Sequence, residues 1–117
     1  AANQKFVSAY KKKYGRPPSF YGAQSYDGMM LIDSAVRAVK GNLKDQKGMI
    51  RAMRKANYAS TRGKYSYNTN HFPIQNYYLL KAVAGAGGAD AVPVMEIQKT
   101  VFSNHKDAYY KECKMKW

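Results

Sequence analysis

The chain has 117 residues, enough for one domain but not two, and a hydrophobic share of 45%, which argues against a disordered polymer. No apolar run approaches the ~20 residues of a membrane-spanning helix, and the single cysteine, Cys113, excludes an internal disulfide and a cysteine-built zinc cluster. Net charge is +13, and residues 1–62 hold 13 Lys and Arg against 3 Asp, a net of +10; this raises nucleic acid or an acidic surface as a partner and equally fits a soluble protein with a basic face.

Ala1 to Lys13 lacks the apolar core of a signal peptide, which leaves destination open because a mature secreted chain has lost its signal. Asn3 is the expected N-cap of a first helix on which Phe6, Val7, Tyr10 and Tyr14 share one stripe. Gly15 stands where a left-handed C-cap is wanted, and Pro17-Pro18 forbids continuation. Lys11, Lys12 and Lys13 fall in the last turn, where the helix dipole favours cations. Ser19 caps a second helix expected to run to about Lys40 and to stop at Gly41, with Met29, Ile32, Val36 and Val39 as its apolar positions. Asp27 and Asp33 point to different faces of it and form no paired-carboxylate site. A third helix starts near Asp45, with Met49, Ile50, Met53 and Ala56 on one side and Lys47, Arg51, Arg54 and Lys55 on the other.

The pattern changes after Arg62-Gly63. Lys64 to Tyr67 alternates as a short strand, Asn68-Thr69-Asn70 is a turn, and Pro73 is expected to keep the next stretch irregular. Gln75 to Val83 reads as a strand with Tyr77, Leu79, Lys81 and Val83 on one face and Tyr78, Leu80 and Ala82 on the other. Apolar groups on both faces predict a sheet covered on both sides. Gly85 to Asp90 is a glycine-rich turn, and Ala91 to Phe102 returns as a second strand to make a hairpin. His105 to Trp117 is a polar tail with a helical turn or two. The class is α/β: three amphipathic helices followed by a strand hairpin. A doubly wound domain normally opens with a strand and alternates, so residues 1–117 are expected to be one incomplete portion of a larger domain whose sheet begins upstream.

No Gly-x-Ser-x-Gly, P-loop or Gly-x-Gly-x-x-Gly is present, and Gly85-Ala86-Gly87-Gly88 leads into a strand rather than a helix, a turn and not a phosphate cradle. His71, His105 and Cys113 match no metal-ligand spacing. No catalytic residue, metal ligand or cofactor is therefore expected. Lys11, Lys12, Lys13, Arg16, Arg51, Arg54 and Lys55, with 11 tyrosines in the chain, make the case for a small basic nucleic-acid-binding domain. Against it, most tyrosines fall on stripes and strand faces expected to be buried. A third reading is an interaction module with no ligand of its own.

The run Tyr14-Gly15-Arg16-Pro17-Pro18-Ser19-Phe20-Tyr21-Gly22-Ala23-Gln24-Ser25-Tyr26-Asp27-Gly28 resembles a signature of the type I periplasmic solute-binding proteins of ABC importers, the leucine/isoleucine/valine-binding family. In that family a helix ending in Tyr-Gly precedes a proline loop, an aromatic residue, and a Tyr-Asp-Ala or Tyr-Asp-Gly on a long apolar helix. The stretches Arg62 to Tyr78 and Ala108 to Met115 resemble the same family's closing strands and ending, in the same order. The resemblance covers the C-terminal portion of a two-lobe protein. It implies two α/β lobes around a ligand cleft, with most of the pocket upstream of Ala1. It further implies capture of a small solute (an amino acid or a related small organic acid or amide) in the periplasm, delivery to ABC transporter permease subunits, no enzymatic step and no nucleic-acid partner. Tyr21 matches the position whose ring packs on the bound solute; Gln24, one turn on, is a second candidate contact; Tyr26 and Asp27 are read as structural, with Asp27 near the positive end of the helix dipole. Helices and strands that cannot close a core unaided are expected to expose apolar surface and to self-associate.

Overall fold

The computed structural model describes residues 1–64, 66–85, 93–113 and 115. Three helices, α1 (Ala2–Tyr14), α2 (Phe20–Ala38) and α3 (Gln46–Lys55), precede three strands, β1 (Ser66–Tyr67), β2 (Pro73–Val83) and β3 (Val94–His105). The helix boundaries follow local chemistry. Gly15 ends α1 with φ 70°, in the left-handed region that costs glycine nothing, and its N–H bonds the Lys11 carbonyl. The start of α1 differs from expectation: Ala1 is the N-cap and Asn3 lies inside the first turn. Ser19 caps α2 as expected, and Asp45 caps α3 by accepting from the Gly48 N–H at 2.8 Å. α2 stops at Ala38, two residues short of expectation, because Lys40 and Gly41 both adopt positive φ, 51° and 79°.

An aromatic seam joins the first two helices. The Phe6 ring meets Tyr26 of α2 at 4.7 Å and Tyr10 at 5.8 Å, and Tyr10 meets Tyr14 at 4.5 Å. Pairs at these separations add stabilisation beyond simple burial. α3 packs on α2 and touches β1, so its methionine and isoleucine stripe is half-buried there.

The sheet is antiparallel in the order β1-β2-β3. β1 contributes two residues, Ser66 opposite Ile74 and Tyr67 opposite Pro73. Pro73 thus opens β2 instead of holding the stretch irregular; at the first residue of a strand its missing N–H breaks no ladder. β2 and β3 form the expected hairpin, with Leu80 opposite Ile97 and Ala82 opposite Met95, and with register irregularities near Tyr77 and Leu79 that interrupt strict two-residue alternation. β3 begins at Val94 and extends to His105, three residues beyond expectation. The expected turn beyond Gly85, with Ala91 and Val92, lies outside the described residues.

The turn before β2 holds itself and the C-terminal tail. The Asn68 N–H donates to the Phe72 carbonyl, and the Phe72 N–H to Asn70 Oδ1. Thr69 Oγ1 donates to the Tyr110 carbonyl at 2.9 Å, Met115 N–H to the Thr69 carbonyl at 3.1 Å, and Asn70 Nδ2 to the Asp107 carboxylate. Asp107 to Cys113 forms a short run of hydrogen-bonded turns, where a helical turn or two was expected.

The buried apolar side chains among the described residues are Phe6, Ala35 and Ala56. The two faces of the hairpin, expected to be covered, stand open: Leu79, Leu80, Met95, Ile97, Val101 and Phe102 are all exposed, Ile97 by 61%. Tyrosines expected on buried stripes and strand faces are exposed as well, Tyr14, Tyr77 and Tyr78 among them. The radius of gyration is 17.2 Å, against about 13 Å for a compact chain of similar length.

Candidate functional site

The local sequence builds an abrupt helix start. Pro17-Pro18 cannot continue α1, and Ser19 takes an extended conformation (φ −82°, ψ 171°) from which its Oγ accepts the Gly22 N–H at 3.3 Å. The first two helical residues are Phe20 and Tyr21, whose rings meet edge to face at 5.8 Å and 74°. Tyr21 is 79% exposed, and Gln24, one turn on, is exposed too. A free phenol ring beside the positive end of a long helix offers an apolar wall, a hydroxyl and a favourable field for an anion.

Further along the same helix lies a buried charge. Asp27 is 1% exposed, in the third turn of α2. Its Oδ2 accepts from Ser60 Oγ at 2.7 Å and Arg62 Nε at 3.1 Å, and its Oδ1 from the Thr61 N–H at 2.9 Å. Arg62 Nη1 donates onward to Gln75 Oε1 of β2 at 3.0 Å. Asp27 is structural, as expected, but the cause is different. It sits too far into the helix for a dipole role, and it binds three consecutive residues of the segment after α3. A carboxylate this buried persists only with such full satisfaction. Sequence reasoning missed the network; the available signal was a carboxylate between Tyr26 and the Gly28-Met29-Met30 run of the helix.

Two concave regions lie elsewhere. One, of about 230 Å³, is apolar and lined by Ile50, Met53, Arg54, Tyr67 and His71. The His71 backbone has φ 63°, and burial first, then the Arg54 charge, pushes its imidazole pKa down. The other, of about 660 Å³, runs between the N-terminus of α1, the segment Tyr58 to Lys64, and Tyr78 and Ile97 of the hairpin. Neither includes Tyr21 or Gln24. His105 packs against Phe102 at 4.8 Å and Tyr77 at 5.6 Å at the end of β3, apart from His71, and Cys113 is exposed. Among the described residues no three His, Cys, Asp or Glu side chains gather as a metal site, and no helix is long and apolar enough to cross a membrane.

With this geometry in hand, the comparisons with known proteins are decisive for kinship. The family model described as periplasmic binding protein matches residues 1–89, three quarters of the chain. The chain belongs to the periplasmic binding protein family. The matched span contains all three helices, Tyr21, Gln24 and the whole Asp27 network. Among solved structures this periplasmic-binding-protein chain is similar to the solute-binding protein of an ABC transporter from R. palustris, solved in complex with benzoate, at 34% identity and a TM-score of 0.66. The similarity covers 81% of this chain and 25% of that one, so the chain spans about a quarter of the relative's length. No curated protein matches it. The open hairpin faces are consistent with that ratio, since the relative has three times as much chain again with which to cover a sheet.

Proposed function

We propose that this chain is the C-terminal portion of the solute-binding component of an ABC-type importer, which captures a small organic solute in the periplasm and passes it to the membrane permease. The observation that carries the reading is the exposed Tyr21 at the Ser19-capped start of α2, in a chain of this family. In this reading Tyr21 forms an aromatic wall of the solute cleft, Gln24 adds a hydrogen bond, and the remaining walls come from other parts of a two-lobe protein. The solute is a small carboxylate, an amino acid or an aromatic acid. A ring supplies apolar contact, and the positive end of α2 suits a carboxylate. The cycle consists of capture, closure and release, with no bond made or broken.

The test is calorimetric titration of the full-length protein with benzoate and with leucine. One of the two is expected to bind, and Tyr21→Ala is expected to weaken it by about ten-fold, the loss of one aromatic contact of roughly 1.4 kcal/mol. If neither solute nor any other small carboxylate or amide binds, the reading is wrong; if one binds and Tyr21→Ala leaves its affinity unchanged, the site assignment is wrong.

A further inference from the structure

The third helix carries four cations, Lys47, Arg51, Arg54 and Lys55, and no acidic side chain. Lys47, Arg51 and Lys55 recur at i, i+4 and i+8 of α3, which sets them in one row. All three are exposed, and among the described residues none is in an ion pair. The opposite side of α3 is used up: Met49, Ile50 and Met53 are half-buried where the helix meets α2 and β1. The row therefore faces away from the body of the chain.

This arrangement works against the helix that carries it. Lys47 sits in the first turn, where the dipole disfavours a cation and where α3 has no acidic residue. Lys47 and Arg51, and Arg51 and Lys55, are like charges one turn apart and repel. Elsewhere the chain arranges charge in the helix's favour, as in the Asp33–Arg37 pair at 2.7 Å. A row of self-repelling cations gains from anions brought from outside.

We propose that this row docks the protein on the anionic phospholipid headgroups of a bilayer. The contact is electrostatic and does not insert, because the apolar side of α3 is already packed. A plane of phosphates can meet every cation of a straight, convex row at once. A single-stranded nucleic acid calls for a groove with stacking rings, and α3 carries no aromatic residue. The choice of lipid rests on the periplasmic reading above, which places the protein beside the membrane that holds its importer; docking there confines the search for the permease to two dimensions.

The experiment is flotation of the full-length protein with vesicles of mixed phosphatidylglycerol and phosphatidylcholine, against phosphatidylcholine alone. Binding to the anionic vesicles is expected at low salt and should vanish near 1 M, where the screening length is ~3 Å. Lys47→Gln/Arg51→Gln should weaken it about 30-fold, at about five-fold per cation near an anionic surface, with an unchanged or higher melting temperature. Lys11→Gln/Lys12→Gln removes the same charge from α1 and should weaken it far less. Equal binding to both vesicle types overturns the proposal. So does equal loss from the two double variants, which would mean adsorption by net charge. Tighter retention on a single-stranded oligonucleotide, lost in Lys47→Gln/Arg51→Gln, overturns it in favour of nucleic acid. Benzoate and leucine titrations on the same preparations separate the two readings: solute capture without vesicle binding removes only the docking face, and vesicle binding without capture removes only the solute assignment.

Discussion

At the scale of single residues, Asp27 and Tyr21 make opposite demands on the same helix. Asp27 is enclosed and fully satisfied, so removing it takes away the one carboxylate that Ser60, Thr61 and Arg62 all bond. Asp27→Ala is expected to cost about 3 kcal/mol, the low end for breaking a buried pair, because the Arg62 side chain keeps 23% of its surface in water; chemical denaturation measures this. Tyr21→Ala is expected to change stability by less than about 0.5 kcal/mol, since an exposed side chain makes few contacts to lose. His71 supplies a pH dependence. Its pKa is held below the ordinary value of about 6.5 by burial and by Arg54, so the unfolded chain binds this proton more readily. Its stabilising contribution is complete above pH ~6.5 and declines as pH falls below that value towards the folded pKa. His71→Gln should flatten the fall in melting temperature across that window.

At the scale of elements, capping and packing divide the work. The Asp45 cap on a helix of ten residues matters more than its single hydrogen bond suggests, because so short a helix is marginal without its ends. Asp45→Ala should cost about 1 kcal/mol, read as a lower melting temperature and faster amide exchange in Gln46–Lys55. Cap residues and breakers are local chemistry, so Gly15, Ser19 and Asp45 were legible in the order of residues alone. The end of α2 was less so: Gly41 signalled a stop, but the two residues in the left-handed region at Lys40 and Gly41 unwind the helix before it. Pro73 misled for a similar reason, since whether a proline ends or opens a strand depends on the partner, here Tyr67 of β1.

At the scale of the whole molecule, the hairpin dominates. Its two faces hold Leu79, Leu80, Met95, Ile97, Val101 and Phe102 in contact with water. Contiguous apolar surface of this kind drives association. The 117-residue chain by itself is expected to sediment as a dimer or larger and to bind a hydrophobic dye, and Ile97→Glu should reduce both. The full-length protein, in the proposed reading, covers these faces and should show neither effect. A monodisperse 117-residue monomer that binds no dye would count against an interrupted sheet.

The family, the three helices, the Gly15, Ser19 and Asp45 ends and the hairpin were readable from residue order, because each rests on interactions spanning one helical turn, one strand or one short motif; the start of α1 was not, since Ala1 and not Asn3 is its N-cap. Which groups meet across the chain was not. The convergence of Ser60, Thr61 and Arg62 on Asp27 joins residues more than thirty positions apart, and no local pattern encodes a pairing at that range. The open state of the hairpin faces was hidden for the same reason: alternation states which side chains share a face, and only the packed chain decides whether anything lies against it.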